Sequence, residues 1–325
     1  MVGKLTDNTL MSASRLPGLL GVSPYSTPNE ELRKSVESLD NIITERPSTI
    51  PMDVGNLLEN YILNSAFAKL RMDTFSCEVD KPYKHHLLPL GCSLDGYAQA
   101  TGQIIKTNAE EDVYVMNESG EIRLDGFGPV EAKTTNDAFN PEELPLHRGV
   151  IQLQGQMMCS SEQGAKWGAV AVLHQNRKLA VYIFEPHYDT QTKIAEAVVK
   201  FQNKIDHYKE TGELLEYPSS NSADANNTYP EAKELEKPLH LETDADKHCE
   251  LIATAKTQIK FFQDQIDKAE AQLKDMMQDY GVATTMNYDI KWGMRNYKAQ
   301  PEKIVPAKDA YSIRQKTLTI KEKKL

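Results

Sequence analysis

The sequence predicts a mixed α/β (α+β) fold: a central mixed sheet flanked by helices, with a helical extension on its C-terminal side. Three observations predict it. Residues 53–70 and 189–211 place apolar residues at the three- and four-residue spacings of amphipathic helices. Short β-rich runs bounded by Gly, Asn and Pro lie between and around them. From Ile252 to Tyr280 a three-four apolar repeat continues for four heptads, a seam that asks for a partner helix.

The 325 residues allow two domains, and 40 % apolar content is enough for a substantial core. No apolar run approaches the length needed to cross a bilayer, and the first residues lack a basic region followed by an apolar one, so a cytoplasmic protein is expected. Cys77, Cys92, Cys159 and Cys249 are scattered without C-x-x-C spacing, which argues against a zinc ribbon and against a disulfide framework. The net charge of −10 is unevenly spread: residues 247–325 hold 15 basic against 10 acidic residues, residues 1–246 hold 22 against 37. A basic C-terminal stretch beside an acidic body suits either a nucleic-acid-guiding arm or an ordinary solvated surface.

In chain order, Met11 to Leu20 reads as a helix with Leu16, Leu19 and Leu20 on its apolar side, Gly21 to Pro28 as a turn, and Asn29 as the cap of a helix through Leu39. Residues 53–70 form the next helix, with Val54, Leu57, Leu58, Tyr61, Ile62 and Leu70 mostly on one side and Glu59 at the edge of that face. Leu87, Leu88, Leu90 and Leu94 make a short strand leading to Asp95. Gln103–Ile105, Val113–Met116 and Glu121–Leu124 read as strands of an extra hairpin turned at Asn117–Gly120, inserted between two principal strands. The strand Gly128–Lys133 follows, then a loop to Arg148 broken by two prolines, a helix over 149–160, a hairpin of 166–174 with 179–185, and a long helix capped by Asp189 and stopped at Gly212. The core is expected to close near residue 215. Residues 216–245 read as a linker and 246–325 as a helical and basic region, with Gly281 stopping its long helix and a small strand around Tyr288–Met294 setting Trp292 against that helix.

The chemistry concentrates on Ser93-Leu-Asp-Gly96 and Gly128-Pro-Val-Glu-Ala-Lys133. On a strand, Glu131 and Lys133 project to one face. If the strand ending at Asp95 pairs beside it, two carboxylates and an ammonium converge. Such a cluster suits a divalent cation with oxygen ligands, the lysine standing beside an attacking water or a phosphate oxygen. An E-x-K triplet alone is common and usually a solvated pair. The order Glu59, Asp95, Glu131-x-Lys133 and then Gln152-Leu-Gln154-Gly-Gln156 is far rarer.

With Ser12-Ala-Ser14-Arg15 and Gly55-Asn-Leu-Leu-Glu59, those motifs resemble the lambda-exonuclease and YqaJ-like branch of the PD-(D/E)xK nucleases, the phage recombination exonucleases, over about residues 11–160. The resemblance implies a Mg2+-dependent 5'-to-3' exonuclease, with Mn2+ as a substitute, acting on double-stranded DNA ends to leave 3' single-stranded tails for an annealing protein. It implies Asp95, Glu131 and the Ala132 carbonyl as metal ligands, and Glu59, Lys133 and Gln154 or Gln152 as further catalytic residues. Ser14, Arg15 and Ser93 would hold the 5'-phosphate. The arginine that the family carries shortly before its serine has no counterpart here, and Leu94 stands where the family has Pro. The chain has no G-x-x-x-x-G-K-[ST] stretch, so it carries no phosphate-binding loop of an ATP motor, and the resemblance implies a homotrimeric ring that encloses the duplex. Two other readings are an endonuclease of the same fold, site-specific or for repair, and a catalytically silent DNA-binding or assembly module.

Overall fold

The computed structural model describes residues 9–42, 49–140, 143–231 and 238–294. The chain divides into two compact units, Met1–Thr228 and Tyr229–Leu325.

The first unit runs through β1 (Met11–Ser12), a 3-10 turn (Ala13–Arg15), α1 (Leu16–Leu19), α2 (Pro28–Leu39), α3 (Ile50–Lys69), β2 (Phe75–Ser76), β3 (Tyr83–Lys84) and β4 (Leu90–Cys92). It continues with β5 (Gly96–Lys106), β6 (Val113–Val115), β7 (Glu121–Thr135), α4 (Ile151–Cys159), β8 (Gly168–His174), β9 (Lys178–Phe184), α5 (Tyr188–Thr211) and α6 (Ser222–Thr228). The central sheet has the order β2-β5-β7-β8-β9-β6. Its β7–β8 and β6–β9 pairs are parallel and the other pairs antiparallel, so the sheet is mixed, as the sequence predicts. A small second sheet sets β1 parallel to β4, with Met11 beside Leu90 and Ser12 beside Gly91.

Both faces of the sheet are covered, which is why β8 is buried along its whole length. On one face Ile62, Leu63, Ala66 and Phe67 of α3 pack on Leu124, Val130, Ala169, Ala171 and Val181. On the other, Leu153 and Met157 of α4 cover Val170, Val172, Ala180 and Tyr182, while Ile194, Val198, Phe201 and Ile205 of α5 join Leu16, Leu19 and Ile151. Gly128 is fixed by close approach: a Cβ there would lie 2.1 Å from the Trp167 indole, which is itself buried.

Several elements depart from the sequence reading. The expected helix at Met11–Leu20 starts as a strand, because Met11 and Ser12 find backbone partners in β4. Thr27, not Asn29, caps α2 through a reciprocal capping box with Glu30. Asn29 is buried and bonds instead to the Tyr217 backbone and Asp224. The expected linker therefore begins later: Glu216 pairs with Arg33, and Asp224 is buried against α2, so 216–228 belong to the first unit. Leu57 and Tyr61 of α3 are exposed, and burial is confined to the helix's second half. The extra hairpin is not inserted between the two principal strands, because β5 and β7 are themselves the two arms of one long hairpin. β6 leaves that hairpin and pairs with β9 at the sheet's far edge. α5 is capped by the His187 side chain rather than by Asp189, and its stop at Gly212 (φ 72°) is as expected.

The second unit contains α7 (Thr243–Met277) and the hairpin of β10 (Val282–Thr284) with β11 (Asp289–Lys291). Lys274 Nζ of α7 lies 6.0 Å from the ring centroid of Trp292, which follows β11 and is 48 % exposed. Gln278, in the left-handed region at φ 48°, ends α7 before Gly281. The basic stretch from residue 295 lies outside the described residues.

Candidate active site

The site sits where β5 and β7 part. Antiparallel pairing carries Gly96 to Val130 and stops there, while β7 runs on to Thr135 against β8 alone. The β5-facing edge of β7 is thus open beyond Val130. Asp95, the residue just before β5, fills it: its Oδ2 accepts the Ala132 backbone N–H at 2.9 Å. Residues on a strand send N–H and C=O to the same edge, so the Ala132 carbonyl lies on the Asp95 side as well.

Glu131 is 1 % exposed, and both of its oxygens are engaged. Lys133 Nζ donates to Oε1, and Gln156 Nε2 donates to Oε2 at 2.5 Å. Glu59, on α3, is half-buried and within electrostatic reach of Glu131 and Lys133. Four elements thus supply the cluster: α3, the entry to β5, β7 and α4.

Crowding of like charge shows in the protonation equilibria. Burial, then the Glu131 charge, pushes the Asp95 carboxyl well above the usual aspartate range, with Lys133 and the Ala132 N–H opposing. Burial and Glu131 push Glu59 up as well. Burial would draw Lys133 down, but Glu131 and Asp95 outweigh it and hold its pKa above the usual value. A cation between the two carboxylates would relieve this repulsion.

The donor set fits a hard divalent ion. Among the described residues no three His, Cys, Asp or Glu side chains gather as a metal cage. Two carboxylates and a backbone carbonyl are what Mg2+ takes when water and substrate phosphate complete its shell.

Of the other expected residues, Ser14 is exposed, with its Oγ 3.1 Å from that of Ser12. β1 pairs in parallel with β4 as far as Ser12 beside Gly91, and Ser14 stands in the 3-10 turn that follows. Arg15 is not at the site. Its guanidinium is buried, bonded to Glu31 Oε2 at 2.6 Å, to the Glu31 backbone and to Ser35 Oγ, with Phe201 beneath it, so it cannot meet a phosphate. Gln154 is also removed: it bonds the Glu185 carbonyl, the His187 N–H and Gln191, and ties α4 to the start of α5. Gln152 is buried one helical turn before Gln156, on the same side of α4. Gln156 is the glutamine that touches the acid cluster, and the i, i+4 spacing from Gln152 was the signal for it. Its Oε1 is buried without a partner among the described residues.

Beyond Lys133 a cavity of about 380 Å³ opens, lined by Tyr25, Val54, Thr134, Thr135, Asp137 and Arg148 among others. Arg148 is held by Asp137 at 2.5 Å, and His147 meets Tyr25 edge-on at 5.9 Å.

The described chain is similar to an alkaline exonuclease. The structure of LHK-Exo in complex with dAMP matches with a TM-score of 0.42 and 16 % identity, covering 63 % of this chain and 94 % of that one. LHK-Exo from Laribacter hongkongensis in a second structure matches with a TM-score of 0.40 and 15 % identity over the same shares. No family model matches the sequence, and no curated protein does.

Proposed function

We propose that the chain is a metal-dependent deoxyribonuclease that hydrolyses phosphodiester bonds. One observation supports this reading: at the open edge of β7, Asp95 accepts the Ala132 N–H, while the neighbouring Glu131, bonded to Lys133 and Gln156, is near enough to raise the Asp95 pKa, with Glu59 in the same field. A structural ion pair would need one acid and one base. Here Lys133 is paired with Glu131 and also lies in the electrostatic field of two further carboxylates, Asp95 and Glu59.

Asp95, Glu131 and the Ala132 carbonyl would hold Mg2+, which when bound supplies Lewis-acid polarisation of the phosphate and a more acidic water. Lys133, kept protonated by its carboxylate neighbours, serves as a hydrogen-bond donor that positions the attacking water or a phosphate oxygen and offsets charge as it develops. Glu59 bounds the outer side of the site. Gln156 keeps Glu131 in one orientation. Ser14, in the turn that follows β1, and Ser93, between β4 and Asp95, would meet the terminal phosphate.

The finer reading is a 5'-to-3' exonuclease on linear duplex ends, leaving 3' tails for a single-strand annealing protein; the motif resemblance supports it. The test is incubation of the full chain with linear 5'-phosphorylated, linear 5'-hydroxyl and covalently closed duplex, each with Mg2+ and with EDTA. Loss of both linear forms only with Mg2+, the closed circle remaining intact, is expected. Nicking of the circle would instead indicate an endonuclease. Asp95→Asn and Lys133→Ala should each abolish cleavage while circular dichroism stays unchanged, and activity retained in either would overturn the assignment.

A further inference from the structure

α7 presents an apolar stripe to solvent along most of its length. Ile259, Phe262 and Ile266 are 68 %, 61 % and 51 % exposed, and Leu273 and Met276 are exposed as well. The stripe follows a heptad seam: Ile252, Ile259, Ile266 and Leu273 at one set of core positions, Ala255, Phe262, Ala269 and Met276 at the other. The sizes along that seam select an occupant.

We propose that α7 pairs with α7 of a second copy of this chain, antiparallel, about a two-fold axis near Asp264. In that arrangement Ile252 faces Met276 of the partner subunit, Ala255 faces Leu273 of the partner subunit, Ile259 faces Ala269 of the partner subunit, and Phe262 faces Ile266 of the partner subunit. Every alanine is set against a large side chain, and the layers keep nearly constant volume. A parallel, in-register pair would stack Ala255 on its own copy and Ala269 on its own copy, leaving gaps, and would crowd two phenylalanines into one layer.

Charge selects the same orientation. Flanking positions on one side of the seam are Lys256, Gln263 and Glu270. Antiparallel pairing sets Lys256 beside Glu270 of the partner subunit twice by symmetry, with Gln263 beside its own copy at the axis. On the other flank Gln258 meets Gln272 of the partner subunit and Gln265 meets its copy, so no like charges oppose. The parallel alternative pairs Lys256 with a leucine and gains no ion pair. The seam from Ile252 to Met276 is about 37 Å long at 1.5 Å per residue, long enough for a stable two-helix interface.

The test uses the full chain. Light scattering should give a mass that falls by half with Phe262→Glu. Lys256→Glu should weaken association about ten-fold by setting carboxylates against carboxylates. Glu270→Lys, which also removes the Lys274 contact of 2.9 Å within α7, should weaken it too. The double variant Lys256→Glu/Glu270→Lys should restore it. In a Cys77→Ser/Cys249→Ser background, Gln263→Cys should cross-link to itself on oxidation and Ile252→Cys should not. A mass unchanged by Phe262→Glu, a double variant no better than the single ones, or self-linking at position 252 instead of 263 would each overturn the proposal.

Discussion

At the level of single residues, the structure separates the arginine that looks functional from the glutamine that does not. Arg15 stands beside Ser14 in sequence, yet the turn that exposes Ser14 buries Arg15 against Glu31. Burial would raise the Glu31 carboxyl, but Arg15 and Lys34 outweigh it and hold its pKa below the usual range. A depressed acid stabilises the fold above its unfolded pKa and loses that contribution as pH falls through the folded value. Glu31→Gln is therefore expected to cost about 3 kcal/mol at pH 7, by leaving Arg15 buried without its counter-charge. In thermal melts the gap to wild type should narrow below about pH 4, where glutamates protonate. With Arg15 committed, only the hydroxyls of Ser14 and Ser93 remain of the expected phosphate contacts. Removing the 5'-phosphate from a linear duplex should therefore slow cleavage by about ten- to a hundred-fold, the scale of a hydrogen bond to a charged group. Gln156→Leu should lower turnover by about ten- to a hundred-fold and raise the Mg2+ concentration for half-maximal rate, because Glu131 loses the donor that orients it. Gln154→Leu should instead lower thermal stability through the lost ties to Glu185 and His187, with the Mg2+ requirement unmoved.

Secondary-structure elements show what the sequence disclosed and what it withheld. Alternation and turn residues located β8, β9 and the hairpin between them, where Gln175 and Asn176 take positive φ. Three- and four-residue spacing located α3, α5 and α7, because helix periodicity is local. Strand partners are not local. Val113–Val115 reads as the first arm of a hairpin turned at Asn117–Gly120, and nothing nearby in the chain reveals that its backbone partners are Val181–Ile183. The same limit applied to Asn29, whose capping chemistry suits a helix start, while its actual partners lie almost two hundred residues away. The acid cluster was legible because Glu131 and Lys133 share a strand and Asp95 opens the adjoining one. The choice among glutamines was not, since it depends on how α4 is rolled on the sheet. Gly128 gives a direct check of that packing. Any side chain on β7 at this position displaces Trp167, so Gly128→Ala should destabilise the protein by about 2–3 kcal/mol, measured by denaturant unfolding.

Across the whole molecule, the proposed chemistry is confined to the first unit, and the second offers a long helix whose apolar seam is exposed among the described residues. The acidic balance of the chain as a whole does not conflict with a nucleic-acid substrate, because the groups that would face phosphate are few and local. Among the described residues no helix is long and apolar enough to cross a membrane. The seat of β6 has an effect of another kind. By lying along Val181–Ile183 it occupies backbone groups that would otherwise form a bare sheet margin of strongly β-prone residues. Trimming the excursion between Lys106 and Glu121 to a tight turn would leave the acids in place but uncover that margin, and the shortened protein would be expected to clump strand-to-strand before it lost its catalytic groups.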